Sequence, residues 1–413
     1  MKLDRARTER GRRLSGAYWR LWWATGVSTA GDGVFAAAVP LLAVTITRDP
    51  RLVSAMSAVT YLPWLLLSLP AGALVDRCDR AALMWRSQAV QAVVVGAVAV
   101  LAAVGHLGIP LLAFLIFASG ACAVVSNNAA QAILPDLVAG PLLHKANGHQ
   151  QAVVTAGRQF AGPVVGSLLF TAAVAWPFGV DAATFVVSAA LLASLPRPAR
   201  RGSGHPPLRA AVADGLRWLA GHRLLRTLAL LLGVNTFCGQ LANATLVLLA
   251  TRTMGLDARG YGLLLAGAAV GGLLGGLVGP RVIAWTGERA ALVTALAANA
   301  VVFVGIGLSP DVIVLGVLLA CNGFAVTLWN VLSAGLRQRL VPSALLGRVS
   351  SAYKTVGWGL MPLGALAGGL VAHSFGLRAA YPVAGVLRGV ALLIALPVLV
   401  RAMRPGGPRN EHS

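Results

Sequence analysis

Residues 72–80 read Gly72-Ala-Leu-Val-Asp76-Arg77-Cys-Asp79-Arg80 and separate two long apolar stretches, at about 52–75 and 81–105. Four ionisable side chains within five positions are too costly to place in hydrocarbon, so this stretch must face water at a membrane surface. The arginines suit the cytoplasmic leaflet, and an acidic residue suits the positive N-terminal end of the following helix. The stretch therefore predicts a cytoplasmic turn between two membrane-spanning helices.

The composition of the whole chain agrees with an integral membrane protein. Of its 413 residues, 57% are hydrophobic and 11% are charged, and the mean hydropathy is +0.76. Soluble domains carry about a quarter charged residues. The formal charge of +21 comes largely from loop arginines without an aromatic-interleaved basic surface, so nucleic acid is not an expected partner. The four cysteines are scattered and form no Cys/His cluster in the sequence, which predicts neither disulfides nor a metal site.

The apolar pattern predicts an all-α membrane protein with twelve transmembrane helices, since each crossing needs about 20 apolar residues. The predicted segments are 20–46, 52–75, 81–105, 109–133, 146–173, 177–195, 227–251, 260–283, 290–308, 312–336, 349–374 and 380–400. They divide the chain into an N-terminal tail (1–19), a first six-helix bundle (20–195), a linker (196–226), a second six-helix bundle (227–400) and a C-terminal tail (401–413). Within the linker, Leu208 to Leu219 fits an amphipathic helix on the membrane surface.

The orientation follows from Lys and Arg, which concentrate in cytoplasmic loops. With the N-terminus inside, the inner segments hold 26 of these residues and the outer loops hold five. Both termini are therefore predicted to be cytoplasmic, as an even number of helices requires. The first apolar run is far longer than the h-region of a secretory signal, so it is expected to remain as a membrane helix.

The two halves of the sequence resemble each other, and the shared positions are polar. A shift of 203 residues places Asp32 on Asn235, Asn127 on Asn330 and Lys145 on Arg348, and after a five-residue insertion Asp79-Arg80-Ala-Ala-Leu83 meets Glu288-Arg289-Ala-Ala-Leu292. Such a repeat predicts two parallel six-helix bundles, the plan of many secondary transporters, with a site near the membrane midplane and rocking of one half against the other.

Gly72-x-x-x-Asp76-Arg77-x-x-Arg80, between the second and third of twelve predicted helices, resembles the loop signature of the major facilitator superfamily. The likeness covers nearly the whole chain in helix number, loop charge and repeated halves. Asp79 stands where the family usually has glycine, and Ala81 stands where a further basic residue is common. Three short stretches are similar to the branch of bacterial drug, macrolide and siderophore exporters: Gly31-Asp32-Gly33, Leu134-Pro135-Asp136-Leu137 and Asp181-Ala-Ala-Thr-Phe185.

The resemblance implies the major facilitator fold and a gate on its cytoplasmic side. The gating motif would be Gly72, Asp76, Arg77 and Arg80, with Asp76 holding the two halves together in one state. The equivalent loop of the second half, Gly276-x-x-x-Pro280-Arg281, has no acidic residue at that position. We therefore expect Asp76→Asn to impair transport more than Asp79→Asn.

Asp32 lies near the middle of the first predicted helix. It is the one acidic residue expected at that depth, because Asp181 falls near the outer end of its helix. An ionisable residue at the bilayer centre costs about 2.5–3.5 kcal/mol on insertion scales, so it is a candidate for proton coupling, and a structural carboxylate is the alternative. Arg158 in the fifth helix is expected to pair with Asp32 in at least one state, the alternative being that it lies along a cavity wall.

Polar residues of the first, fourth, seventh and tenth helices are candidates for the substrate cavity, because these helices line the cavity in the resembled superfamily. In the first helix Thr25, Ser28 and Thr29 share a face with Asp32. The complete set is Thr25, Ser28, Thr29, Asn127, Asn235, Gln240, Asn243, Asn322, Trp329 and Asn330. Interhelical hydrogen bonding is an equally reasonable role for each. The implied cavity has few charges, which suits an amphiphilic or lipophilic solute.

Glycine-rich helix faces are also present. Gly162-Pro163-x-x-Gly166 in the fifth helix resembles the exporter signature of the superfamily: proline kinks the helix, and glycine permits close approach of a neighbour. Further glycines occur every four residues at 267–279 in the eighth helix and at 357, 364 and 368 in the eleventh. In the superfamily the fifth and eighth helices meet across the halves, as do the second and eleventh, so these faces are expected to permit sliding there. Packing alone is the alternative.

These features predict a plasma-membrane transporter, most directly one for proton-coupled efflux (antiport) of a small amphiphilic or lipophilic molecule, with drug resistance as the outcome in the resembled branch. The sequence contains no GxxxxGK[ST] motif, so a proton gradient rather than ATP or another cofactor is the expected energy source. Lipid or lysolipid translocation and a non-transporting sensor of the same fold are alternatives.

A membrane-embedded enzyme is disfavoured, because the sequence shows no HExxH, GxSxG or paired carboxylates, and no catalytic residue is assigned. The expected partners are the substrate and the lipid bilayer, and the expected state is a monomer.

Overall fold

The computed structural model of the protein describes residues 14–138, 142–196, 216–342 and 345–402. These residues form helices and connecting turns, and no strand occurs among them. Twelve long helical segments follow one another. They are α1 (Gly16–Ile46), α2 (Pro50–Arg77), α3 (Arg80–Ala103), α4 (Ile109–Leu137), α5 (Leu143–Thr155, a π-helical turn at Ala156–Ala161, and Gly162–Ala172), α6 (Trp176–Ala193), α7 (Arg223–Asn243, Leu246–Leu248 and a π-helical turn at Leu249–Thr253), α8 (Ala258–Thr286), α9 (Glu288–Leu308), α10 (Val312–Leu340), α11 (Leu346–Gly359 and Met361–Phe375) and α12 (Ala380–Ala402).

The number and order of these helices confirm the all-α prediction. Within the described ranges, ten helices are long and apolar enough to cross a membrane, judged by length and composition, and α2 and α5 complete the twelve. Residues 1–13, 197–215 and 403–413 of the predicted tails and linker lie outside the described residues. The same holds for most of the amphipathic helix expected at 208–219, although residues 216–221 are helical.

Aspartates begin three of the helices. The carboxylate of Asp79 accepts hydrogen bonds from the second and third amides that follow it, at 3.0 and 3.2 Å, and so caps α3. Asp257 accepts from the Gly260 amide at 2.8 Å at the start of α8, and Asp311 accepts from the Val314 amide at 2.9 Å at the start of α10. Each cap satisfies an amide that has no partner inside the helix. Several of the few acidic residues are therefore explained by helix initiation.

The helices pack into two units. The first contains the described residues of Met1–Thr47 and Val59–His205, and the second contains those of Arg48–Ala58 and Pro206–Ser413. Four helix pairs of the first unit, α1/α5, α1/α6, α3/α4 and α3/α6, have counterparts in the second, α7/α11, α7/α12, α9/α10 and α9/α12. The repeat inferred from sequence thus has an equivalent in the packing of each unit.

The boundary of the units differs from the predicted first bundle in one stretch, because Arg48–Ala58 belongs to the second unit. A Cβ on Gly369 of α11 would lie 2.7 Å from Cβ of Ser54, so the missing side chain allows this close approach. The Arg252 guanidinium donates to the carbonyl of Arg48 at 3.0 Å. Just before α2, hydrogen bonds from Arg51 hold the pKa of Asp49 below its ordinary value. The start of α2 is therefore packed into the second unit.

An ion pair joins equivalent helix ends in each unit, with opposite polarity. In the first unit Arg80, the first residue of α3, contacts Asp136 near the end of α4 at 2.6 Å. In the second unit Glu288, the first residue of α9, contacts Arg339 near the end of α10, also at 2.6 Å. Because helix N-termini favour anions and C-termini favour cations, the helix dipoles support the second pair and oppose the first.

Exchanging the charges of the first pair should therefore be tolerated. Arg80→Glu or Asp136→Arg alone places like charges together and is expected to lower stability by about 1 kcal/mol, the scale of a partly exposed ion pair. The double variant restores an opposite-charge pair with the polarity of the second unit and should recover the loss. Thermal unfolding of the purified variants measures this, and additive losses in the double variant would contradict the argument.

Candidate transport site

Asp32 lies in the middle of α1 between two glycines that face different helices. A Cβ on Gly31 would collide with the carboxylate of Asp181 on α6. A Cβ on Gly33 would lie 2.7 Å from the carbonyl oxygen of Gly157 on α5. Because neither glycine carries a side chain, both α5 and α6 can approach α1 at the level of Asp32. The Gly31-Asp32-Gly33 stretch thus brings two neighbouring helices to one carboxyl group.

The middle of α5 is a π-helical turn, and its cause can be read from the sequence. Pro163 has no amide hydrogen, so the carbonyl of Gln159 four residues earlier lacks its usual donor. The bonding shifts by one residue, and the amide of Gly162 donates to the carbonyl of Gly157 five residues earlier. Single π turns of this kind are frequent at functional sites. Arg158 lies in this turn, is exposed, and has its Cα beside α1.

Gly33→Ala should therefore disrupt the first unit. The new methyl group would meet backbone atoms on α5, the carbonyl oxygen of Gly157 at 2.7 Å and Cα of Gly162 at 2.9 Å, which cannot move as a flexible side chain would. We expect a loss of about 1–3 kcal/mol from overpacking. Gly96→Ala on α3 is the matched control, since its nearest neighbour would be the Cβ of Ala182 at 3.9 Å. Equal thermal stability of the two variants would contradict this interpretation of the glycine contact.

Three ionisable groups lie around this point of the first unit. Asp32 is half-buried and interacts electrostatically with Arg158 of α5 and with Asp181 of α6. Asp181 is almost fully enclosed, with 1% of its surface exposed. In the described residues no salt bridge of 4.0 Å or less joins Asp32 to Arg158. The two charges are neighbours in this conformation, and their direct pairing stays a prediction.

The position of Asp181 corrects one expectation from the sequence. Asp32 is not the only acidic residue at its depth, because Gly31 lets the second turn of α6, with the carboxylate of Asp181, pack directly against α1. The sequence does contain a pattern that indicates this contact. One face of α6 carries a polar stripe at spacings of three and four residues, formed by Asp181, Thr184 and Ser188. This stripe faces α1, since the Ser188 hydroxyl donates to the carbonyl of Ala24 at 2.9 Å.

The hydroxyl groups preceding Asp32 on α1 are used within their own helix. Thr25 donates to the carbonyl of Leu21 at 2.9 Å, and Thr29 donates to the carbonyl of Thr25 at 2.7 Å. Ser28 is buried and donates to the Thr25 carbonyl at 3.3 Å. These hydroxyls already donate their hydrogens to carbonyls of α1, and their lone pairs can still accept a hydrogen bond from another group.

The predicted cavity residues of α4 and α7 are partly accessible. Asn127 is exposed on α4 and accepts a hydrogen bond from the side chain of Gln131 at 2.6 Å. On α7, Asn235 and Gln240 are half-buried, whereas Asn243 is exposed at the end of the first α-helical part. The accessible amides of α4 are thus one turn apart and bonded to each other.

The predicted residues of α10 include two polar atoms without a partner. The indole Nε1 of Trp329 and the side-chain oxygen of Asn322 are buried and make no hydrogen bond among the described residues. Asn330, next to the tryptophan, is exposed. Buried polar groups are usually hydrogen-bonded, so an unpaired donor and an unpaired acceptor seven residues apart mark this face of α10 as one that can take a polar ligand group.

The gating motif lies at the junction of α2 and α3. Arg77 is the exposed last residue of α2, and Gly72 is half-buried in the same helix. Arg80 is engaged with Asp136 and with a carbonyl of α4, both inside the first unit. The side chain of Asp76 lies outside what the structure describes, so its predicted role in the gate stays a prediction.

The glycine faces contact helices of their own unit, and their role in sliding between the halves stays a prediction. A Cβ on Gly166 of α5 would lie 2.5 Å from the carbonyl oxygen of Val34 on α1, and Gly162 and Pro163 are buried in the same unit. A Cβ on Gly275 of α8 would lie 2.8 Å from the carbonyl oxygen of Phe324 on α10. The glycines therefore allow backbone-to-backbone packing within each bundle.

The whole chain is similar to known membrane transporters. The family model of transmembrane secretion effectors matches residues 14–409. The multidrug efflux pump Tap of Mycolicibacterium fortuitum is 28% identical over 385 residues, covering 90% of this chain and 90% of that protein. The multidrug efflux pump Tap of Mycobacterium tuberculosis is 26% identical over 395 residues, covering 91% and 90%.

Solved transporter structures share the fold. The nucleoside transporter NupG superposes with a TM-score of 0.73 at 11% identity, covering 94% of this chain and all of that one. A bacterial homologue of the iron transporter ferroportin, in an inward-facing state, superposes with a TM-score of 0.72 at 18% identity, covering 93% and 99%. The chain therefore belongs to the transmembrane secretion effector family of the major facilitator superfamily.

Proposed function

We propose that this transporter expels a small amphiphilic or lipophilic molecule from the cell in exchange for protons. The observation that carries the proposal is the placement of Asp32, a half-buried carboxyl in the middle of α1 with Arg158 as its neighbouring cation. The similarity to pumps named for multidrug efflux supports export of this substrate class. The loop charges support a plasma-membrane orientation with both termini cytoplasmic, and the protein is proposed to act as a monomer driven by the proton gradient alone.

In the proposed coupling, Asp32 is the proton site and alternates between an ionised and a protonated form. When Asp32 is ionised, its charge attracts Arg158, whose Cα is already beside α1 at the π turn of α5. When Asp32 takes up a proton, that attraction is lost and the cost of the buried carboxylate disappears. A proton entering from the outside and leaving to the inside would thus alternate the contact between α1 and α5, and the contact would bias the two conformations of the transporter.

The polar groups of the candidate residues support the proposed substrate class. They are neutral in the candidate set, namely amides on α4, α7 and α10 and the unpaired indole Nε1 of Trp329. Neutral donors and acceptors among apolar helices suit a solute with a large apolar surface and a few polar groups.

The test is transport by purified protein in liposomes under an imposed pH gradient. The lumen is made acidic, and uptake of ethidium, a lipophilic cationic dye, is followed by fluorescence. Antiport predicts uptake that requires the gradient and ceases when a protonophore collapses it. Protein-free liposomes and liposomes with equal pH on both sides are the controls. Dye movement at the same rate with and without the gradient would overturn the proposed coupling.

A further inference from the structure

We propose that Asp181 is a second proton-binding group of the transporter, forming with Asp32 a carboxyl pair that holds a proton in the conformation seen here. This rests on the proposed proton coupling and names a further residue for it. Asp181 lies where α6 packs against α1 at Gly31, whereas Arg158 lies where α5 packs against α1 at Gly33. Asp181 is more deeply enclosed than Asp32, with 1% of its surface exposed.

The hydrogen bonds around Asp181 do not compensate an ionised carboxylate. The Thr184 hydroxyl reaches a carboxylate oxygen of Asp181 at 3.3 Å, but it makes a shorter bond of 2.7 Å to the Asp181 backbone carbonyl. A hydroxyl has one hydrogen, so it cannot fully serve both acceptors. Among the described residues no salt bridge reaches Asp181. A buried carboxylate without a cation or strong donors is costly, and protonation removes that cost.

The neighbouring helices supply one titratable partner, and it is acidic. From α1 the nearest titratable group is Asp32, because the carboxylate of Asp181 packs against Gly31, the residue that precedes Asp32. The helix α3 passes Asp181 with Gly96 opposite Ala182, and it has no titratable residue from Gln91 to its end. The part of α5 that follows its π turn also has none. Arg158 acts on Asp32, so two carboxyls share the field of one cation. Two close carboxyls share a proton more readily than they both ionise.

An aromatic contact closes one side of this pair. Phe35 on α1 and Phe178 on α6 lie one turn from Asp32 and Asp181, with ring centroids 5.7 Å apart in an edge-to-face arrangement. Phe178 is fully buried. This contact limits access of water from that side, so proton exchange with Asp181 is favoured through Asp32 (the more exposed of the two).

The second unit shows that the fold does not require acidic residues at this contact. The counterpart helices are α7 and α12, where Arg388 donates to the carbonyl of Asn235 at 2.8 Å. Asn235 is the repeat equivalent of Asp32, so the same helix contact carries an amide residue and a cation instead of two carboxyls. A metal ion is a poor alternative occupant, because the described residues contain no group of three or more His, Cys, Asp or Glu placed to hold one.

Infrared difference spectroscopy of the purified transporter in lipid tests the proposal without any substrate. The carboxyl stretch of protonated side chains is followed while pH is raised from neutral. Wild type should show the band of a protonated carboxyl at neutral pH, and Asp181→Asn should lose at least half of that band. Asp311→Asn is the control and should retain the band, because it changes an exposed helix cap to another good cap residue. An unchanged band in Asp181→Asn, or no protonated carboxyl in wild type, would overturn the pair.

A second variant keeps the test decisive if Asp181→Asn fails to fold. Thr184→Val keeps the side-chain shape and removes the hydroxyl, so the carboxyl band should persist and move to the frequency of a more weakly hydrogen-bonded group; an unmoved band would count against Asp181 as its source. Failure of gradient-driven dye uptake with an intact, Asp181-dependent band would reject the proposed function and leave the proton pair standing. Gradient-driven uptake without such a band would reject the pair alone.

Discussion

Asp32→Asn is expected to abolish dye accumulation driven by a pH gradient and to leave exchange of dye across the membrane at equal pH intact. Asparagine keeps the size and hydrogen-bonding capacity of the side chain but cannot bind or release a proton. A gradient of one pH unit corresponds to about 1.4 kcal/mol, so each exchanged proton can support an accumulation of about tenfold. The variant should support none, because its transport cycle no longer moves a proton at this position.

The measurement separates coupling from binding. Accumulation of ethidium is followed in liposomes with an acidic lumen. Exchange is followed as efflux of preloaded ethidium from liposomes with equal pH on both sides. Asp311→Asn is the matched control, since asparagine also caps a helix and the exposed cap residue at the start of α10 should not affect coupling. Accumulation by Asp32→Asn at the wild-type ratio would refute Asp32 as the coupling site, and loss of both activities would assign it to folding or substrate binding instead.

Helices and charges that depend on local sequence could be predicted from the sequence. The stretch 72–80 indicated a turn between two spanning helices, and the structure has α2 end at Arg77 and α3 begin at Arg80. The sequence predicts that an acidic residue of this stretch suits the start of the next helix, and in the structure Asp79 caps α3. In both cases the deciding interactions join residues within one turn, so hydropathy and helix-capping rules were sufficient.

Interactions between distant segments were harder to predict. Pro163 indicates a kink in α5, but the position of Arg158 beside α1 depends on Gly33 and Gly157, which allow backbone contact between the two helices. Counting residues places Asp181 near the end of its helix. Its contact with α1 depends instead on which glycine of α1 faces α6, and that glycine is Gly31. Periodicity places a residue on a helix face, but it does not say which helix lies opposite that face. The contact of Asp181 with α1 beside Asp32 is therefore evident only in the packed unit.

Arg388 presents the same limit, because the sequence alone places a cation within the predicted segment 380–400 and indicates no partner for it. In the structure this residue is 6% exposed, and its guanidinium lies at the junction of α7, α9 and α12. It donates to the side-chain oxygen of Asn299 and to the carbonyl of Asn235, and it stacks over the Phe303 ring at 3.7 Å from the centroid. Among the described residues no carboxylate forms a salt bridge with it. Asn299 is thus the main side-chain acceptor for a buried charge.

Asn299→Leu should consequently be strongly destabilising, by about 3 kcal/mol, because a buried guanidinium loses its main side-chain acceptor. Arg388→Met removes the charge as well as its hydrogen bonds, so the double variant Asn299→Leu with Arg388→Met should regain most of the loss. Thermal unfolding of the four proteins forms a double-mutant cycle. Additive losses would show that the two side chains do not depend on each other. Dye transport by the recovered double variant would then identify Arg388 as a packing element of the second unit, since a role in coupling requires the charge that this variant lacks.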